Sequence, residues 1–115
     1  MTNDYFTELI GEQMGAVTFV QDYLQLHFDG PCINVYMPMQ IEVGSQVVDR
    51  KEEGFRNALC AQIAKRVSAV SIDPVEALRI SFEDGSRISI SLRRADYTSP
   101  DAIDTHNFSR GFFSV

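Results

Sequence analysis

The residues best equipped for chemistry lie near the C-terminus, where Tyr97, Thr98, Ser99, Asp101, Asp104, Thr105 and His106 follow directly on Arg93 and Arg94. Serine, histidine and aspartate are the side chains of a nucleophilic triad, yet no nucleophile elbow precedes any serine of the chain, so no catalytic residue is expected. Ligand or partner contact is the expectation instead, carried by Arg93, Arg94, Tyr97, Ser99, Asp101 and His106. A second group is alternating: Arg79, Ser81, Arg87, Ser89, Ser91 and Arg93 recur at every second position of two runs, which puts them on one face of a strand pair able to hydrogen-bond an anion. His27, between Gln25 and Asp29 and sharing its face with Asn34 and Tyr36, reads as a solvated histidine.

Other chemistry is not indicated. Cys32 and Cys60 form no Cys-x-x-Cys motif and have no histidine at zinc-finger spacing, so reduced thiols and no metal are expected. Cys60, beside an apolar stripe, is expected to be buried and Cys32 exposed near a hairpin. Asp29-Gly30 and Asp84-Gly85 lack the alternating oxygen ligands of a calcium loop and the following helix of a phosphate loop; they read as turns. No cofactor is implied.

The elements that would position these residues belong to one domain, 1–115, of 115 residues with 44% hydrophobic content. The N-terminus has neither a basic flank nor a signal-length apolar run, and no stretch reaches the ~18 apolar residues of a membrane helix. A cytoplasmic protein without membrane contact is expected. Charge is unevenly placed: residues 1–49 hold seven acids and no Lys or Arg, whereas residues 50–94 hold nine basic residues against six acids. A net charge of −6 opposes phosphate neutralisation, which argues against nucleic acid, and the polarity favours a protein partner or a self-associated dimer.

The chain also repeats itself. Leu24-Gln-Leu26-His-Phe28-Asp-Gly30 returns as Leu78-Arg-Ile80-Ser-Phe82-Glu-Asp-Gly85, and Ile33-Asn-Val35-Tyr-Met37 returns as Ile88-Ser-Ile90-Ser-Leu92. Upstream, Ile10-Gly11, Met14, Val17 and Phe19 match Ile63-Ala64, Val67, Val70 and Ile72 at an offset of 53, which grows to 54 and then 55. The repeats, about 5–43 and 55–95, leave a C-terminal tail at 96–115. Each half predicts a helix and three strands. The second helix is expected over Asp49 to Lys65, with Asp49 and Glu52 as a capping box and Phe55, Leu59 and Ile63 as its stripe. The first is expected from Asp4 to Ile10, ended by Gly11.

Strand alternation sets hairpin register. A Gly30-Pro31 turn would place Phe28 opposite Ile33 and Leu26 opposite Val35, and a Glu83-Asp84-Gly85 loop would place Ile80 opposite Ile88 and Leu78 opposite Ile90. Pro38 would mark an edge or bulge before Gln40 to Val43, Ser99-Pro100-Asp101 a helix start, and Gly111 to Val115 a last strand. The expected fold is α+β: two pseudo-symmetric three-stranded antiparallel meanders in a curved or two-layer sheet, with one main helix packed on it and a short N-terminal helix.

Leu9-Ile-Gly11, the two Leu/Ile-x-Phe-containing hairpins ending at Gly30 and Gly85, and Ser99-Pro-Asp-Ala102 resemble a family of short bacterial proteins of unassigned function built on a duplicated strand-hairpin unit. The resemblance implies a bacterial cytoplasmic protein, with some relatives acting as immunity-type partners, and it supplies no catalytic residue. The chain is therefore expected to be a non-enzymatic protein-interaction module. The alternative is a small-ligand-binding domain or minor enzyme with a site between the repeats and the tail.

Overall fold

The computed structural model describes residues 5–115. They form two antiparallel sheets and one short helix, α1 (Phe55–Cys60). The strands are β1 (Met14–Phe19), β2 (Leu24–Phe28), β3 (Cys32–Val35), β4 (Met39–Val43), β5 (Gln46–Asp49), β6 (Val67–Asp73), β7 (Ala77–Phe82), β8 (Arg87–Ser91) and β9 (Ile103–His106). β1-β2-β3 is an antiparallel meander, and so is β6-β7-β8. The next strand of each half then crosses over: β4 leaves β3 and pairs with β8, while β9 leaves β8 and pairs with β3. Each sheet is thus completed by the other half of the chain.

Residues 53 apart make matching bonds where the sheets meet. Gly11 N donates to Val67 O at 2.8 Å and Ala64 N donates to Met14 O at 2.7 Å; Val67 N donates to Glu12 O at 2.9 Å and Met14 N to Lys65 O at 3.0 Å. Gln13 and Arg66 bridge one another, and each side chain donates to the carbonyl of the other half's turn, at Ala64 and Gly11 respectively. The edge strands β1 and β6 both carry an irregularity, at Met14/Ala16 and at Val67/Ala69.

Both turns require the left-handed region, φ being 89° at Gly11 and 79° at Ala64. Only the first has the residue type that takes this conformation without strain. Ala64→Gly is accordingly expected to stabilise the protein by about 0.5 to 1 kcal/mol and Gly11→Ala to destabilise it by a similar amount, read as opposite shifts of the urea midpoint. Equal signs for the two would mean that the turns are not equivalent.

The apolar positions of both sheets face one shared core, with Leu26, Ile33, Ile41, Leu78, Ile80 and Ile88 fully buried and Phe6 and Leu59 packed among them. At the C-terminus, Ile103 and Phe108 join this cluster, and Tyr5 stacks on Phe108 at 4.8 Å between ring centroids. The tail expected over 96–115 thus includes a core strand. Its last residues return along β9, Ser114 bridging Asp104, as β5 returns along β4.

Several expectations are corrected. The helix over Asp49 to Lys65 shrinks to Phe55–Cys60, because Asp49 is the last residue of β5 opposite Gln40, Gly54 follows a series of turns, and Ala64 leaves the helical region. Phe55 and Leu59 are buried as the stripe requires, but Ile63 is 37% exposed. Of the expected first helix, Asp4 lies outside the described residues; Tyr5 and Phe6 are helical and lead into a 3-10 turn at Thr7–Leu9.

The β7–β8 register is as expected, Ile80 facing Ile88 and Leu78 facing Ile90, with Gly85 at φ 89°. In the first hairpin the pairs are instead Leu26 with Ile33 and Leu24 with Val35. The turn is Asp29-Gly30, closed by Phe28 N donating to Pro31 O at 2.8 Å, so proline begins the return strand by its carbonyl, the one backbone hydrogen-bonding group it has. In this hairpin the expected and the observed partners both lie an odd number of residues apart, so the core face is unchanged.

Pro38 precedes β4, which lies inside its sheet between β5 and β8 rather than at an edge. Ser99 starts no helix: its Oγ donates to Asp101 O at 2.6 Å in the approach to β9. The cysteines exchange roles, Cys32 being buried within β3 and Cys60 exposed at the end of α1. No helix among the described residues is long and apolar enough to cross a membrane.

Candidate functional site

Residues directly opposite each other on neighbouring strands share a face, so the polar face of each sheet carries a row running across its strands. In the five-stranded sheet the row is Asp49, Gln40, Ser89, Arg79 and Ser71. In the four-stranded sheet it is Ser114, Asp104, Asn34, Gln25 and Thr18. Thr18 and Ser71, Gln25 and Arg79, and Asn34 and Ser89 lie 53, 54 and 55 residues apart in the two rows. Their chemistry differs.

The row of the four-stranded sheet is closed on itself. Gln25 Nε2 donates to Asn34 Oδ1 at 2.9 Å, Asn34 Nδ2 to Asp104 Oδ1 at 2.7 Å, and the Tyr36 hydroxyl to Asp104 Oδ2 at 2.8 Å. Burial, and then the Asp104 carboxylate that accepts its hydrogen bond, push the Tyr36 phenol up to about 12. Burial also raises the Cys32 thiol, with Asp104 adding to it. A neutral thiol is a poor nucleophile. His106 Nε2 lies 3.4 Å from Asp104 Oδ1, and His27 Nε2 lies 3.0 Å from Thr18 Oγ1.

In the five-stranded sheet, Asp49, Gln40, Ser89 and Arg79 of the row line a groove of about 520 Å³. Both sides of the floor are braced by ion pairs. On one, Arg87 donates through Nε at 2.8 Å and Nη2 at 2.6 Å to the same Glu42 oxygen. On the other, Arg93 sits 3.3 Å from Asp96 Oδ2 and 3.7 Å from Glu76 Oε1, and Ser91 Oγ donates to Asp96 at 2.6 Å. The Ser91 hydroxyl, and to a smaller degree Arg93, hold the Asp96 carboxyl below the usual carboxylate range.

Between these pairs, the side chains of Arg79, Ser89 and Gln40 make no hydrogen bond or ion pair among the described residues. Arg79 is half-buried on β7, held by sheet pairing with Ser71 on one side and Ser89 on the other. Five N–H donors in a fixed planar fork are thus presented to the groove with no internal acceptor.

The six candidate contact residues do not converge. Arg93 lines the groove; Arg94 begins the 3-10 turn Arg94–Asp96, and Tyr97, which follows it, packs on the core. Ser99 and Asp101 shape the approach to β9, while His106 lies on the other sheet beside the Phe112 ring. Of the alternating Ser/Arg face, Arg79, Arg87, Ser89, Ser91 and Arg93 line one groove, whereas Ser81, opposite Arg87, lies outside its lining.

Gln40 and Asp49 were not among the candidate residues. The alternation Met39-Gln-Ile-Glu-Val43 marks Gln40 and Glu42 as polar-facing, but only the crossing of β4 onto β8 brings them beside the arginines. Among the described residues no group of three or more His, Cys, Asp or Glu side chains is placed to hold a metal. No protein-family model, no curated protein and no solved structure matches this chain.

Proposed function

We propose that the protein is a non-enzymatic interaction module of the cytoplasm, immunity-type partnering included, and that the groove on its five-stranded sheet is the contact surface. The observation that carries this reading is the contrast between the two equivalent rows. One links Gln25, Asn34, Asp104 and Tyr36 by internal hydrogen bonds; in the other the side chains of Arg79, Ser89 and Gln40 make none among the described residues. A polar fork anchored on a rigid sheet loses little entropy when a partner docks. We further infer that the halves are copies of one unit whose fourth strand is exchanged, because matching bonds recur 53 residues apart at the junction. On this reading one copy kept its face for stability and the other kept it for recognition.

Use of the full-length protein as bait in a native lysate tests the module. A protein retained at low salt should be lost at high salt, and lost equally from Arg79→Glu bait at low salt. Retention that survives the substitution would move the contact to another surface. A bait that retains nothing above background would overturn the interaction reading.

A further inference from the structure

We propose that Arg79, Ser89 and Gln40 form a carboxylate-binding site, a reading that rests on the groove being the contact surface. The chemical class follows from the neighbours of Arg79 as much as from Arg79 itself. Arg87 and Arg93 are already engaged with Glu42 and with Asp96 and Glu76, so neither fork is free for a ligand without breaking an existing pair. Arg79 has no such partner among the described residues.

A planar fork matches the two oxygens of a carboxylate through parallel N–H bonds. Ser89, directly opposite on β8, supplies a hydroxyl, and Gln40, one strand further, supplies an amide N–H. All three belong to central strands of one sheet and point to the same side. The sheet therefore fixes the backbone positions from which all three donors reach the groove.

Overall charge separates a carboxylate from a phosphate. The groove is lined by four basic and four acidic side chains, so it is neutral with Arg79 counted and carries one net negative charge around it. A singly charged carboxylate meets Arg79 without a large background field. A phosphate dianion would add a second negative charge, and the open Asp49 carboxylate at the end of the row opposes it. The carboxylate could be supplied by a peptide C-terminus or by a small free acid; the chemistry read by the site is the same.

Backbone amide shifts of isotope-labelled full-length protein test the assignment, with acetate, inorganic phosphate and a short peptide carrying a free or an amidated C-terminus as probes at constant ionic strength. Acetate or the free-terminus peptide should move the amides of Arg79, Ser89 and Gln40 saturably, and Arg79→Gln should weaken that binding about tenfold or more, the loss expected for a charge-assisted hydrogen bond. Arg79→Lys, which keeps the charge and removes the fork, should weaken it as well. Stronger shifts from the free-terminus peptide than from acetate identify a peptide terminus as the source, and the reverse identifies a free acid.

Phosphate acting as strongly as acetate would overturn the carboxylate assignment. So would unchanged binding in both variants, or silence at these three amides with every probe. The lysate experiment separates this failure from failure of the module: Arg79-dependent capture of a protein beside silent amides refutes the carboxylate site alone.

Discussion

A chain ending at Asp101 is expected to lose cooperative folding altogether. Truncation there removes Ile103 and Phe108 from the core and takes away the strand that pairs with β3 along Cys32–Val35. It also uncovers Tyr5 and Phe6, whose rings pack against Phe108 and Phe113. Each large buried side chain contributes about 1.5 to 3 kcal/mol, and the whole stability of a domain this size is about 5 to 15 kcal/mol. Removing two such side chains, uncovering two more and leaving Thr105 unavailable to Tyr5, whose hydroxyl lies 2.6 Å from it, approaches the total. Near-UV circular dichroism and a urea melt read the result. A sigmoidal transition at the full-length midpoint would show that β9 is an accessory and not part of the folding unit.

Ser86→Ala is expected to cost about 1 to 3 kcal/mol, although a serine after a hairpin glycine looks replaceable in the sequence. In the structure it is 2% exposed, beneath the β7–β8 turn. Its hydroxyl accepts from Gln62 Nε2 at 2.7 Å and donates to Asp84 Oδ1 at 2.5 Å, and Lys65 bridges Gln62 and Asp84 from above at 2.8 and 2.7 Å. The loss of the hydroxyl leaves the fully buried Gln62 amide short of an acceptor. Leu9 is the buried residue 53 positions before Gln62, so combining Gln62→Leu with Ser86→Ala should recover most of the loss, since removing both partners is far less costly than removing one. Equal midpoints for wild type and Ser86→Ala would sink the idea.

The same cluster sets a pH dependence. Lys65, and then Ser86, hold the Asp84 carboxyl well below the usual carboxylate range. A depressed carboxylate pKa contributes stability that is present above the unfolded value, about pH 4, and is lost as pH falls through the folded value. Urea midpoints should therefore fall below about pH 4, and fall less steeply in Asp84→Asn. Because Asp84 is half exposed, the effect is a fraction of what a buried pair would show.

The amino-acid sequence alone determined the phase of the chain. Alternation in Leu78-Arg-Ile80-Ser-Phe82 and Ile88-Ser-Ile90 decides which side chains face inward, and Gly85 decides where the strand can turn, because both are properties of a few adjacent residues. For the same reason the Ser/Arg face was visible before its groove was. Tertiary structure alone decided the partners. β4 and β9 alternate as β2, β7 and β8 do, so nothing local says that each should cross to the opposite meander; that choice belongs to the shared core, in which Ile41 lies against Ile88 and Thr105 against Ile33. The same non-local competition fixed Asp49 in a strand instead of at a helix start, buried Cys32 and scattered the tail's polar residues over two sheets. Face is written in local spacing, whereas pairing is settled by the packing of residues far apart in the chain.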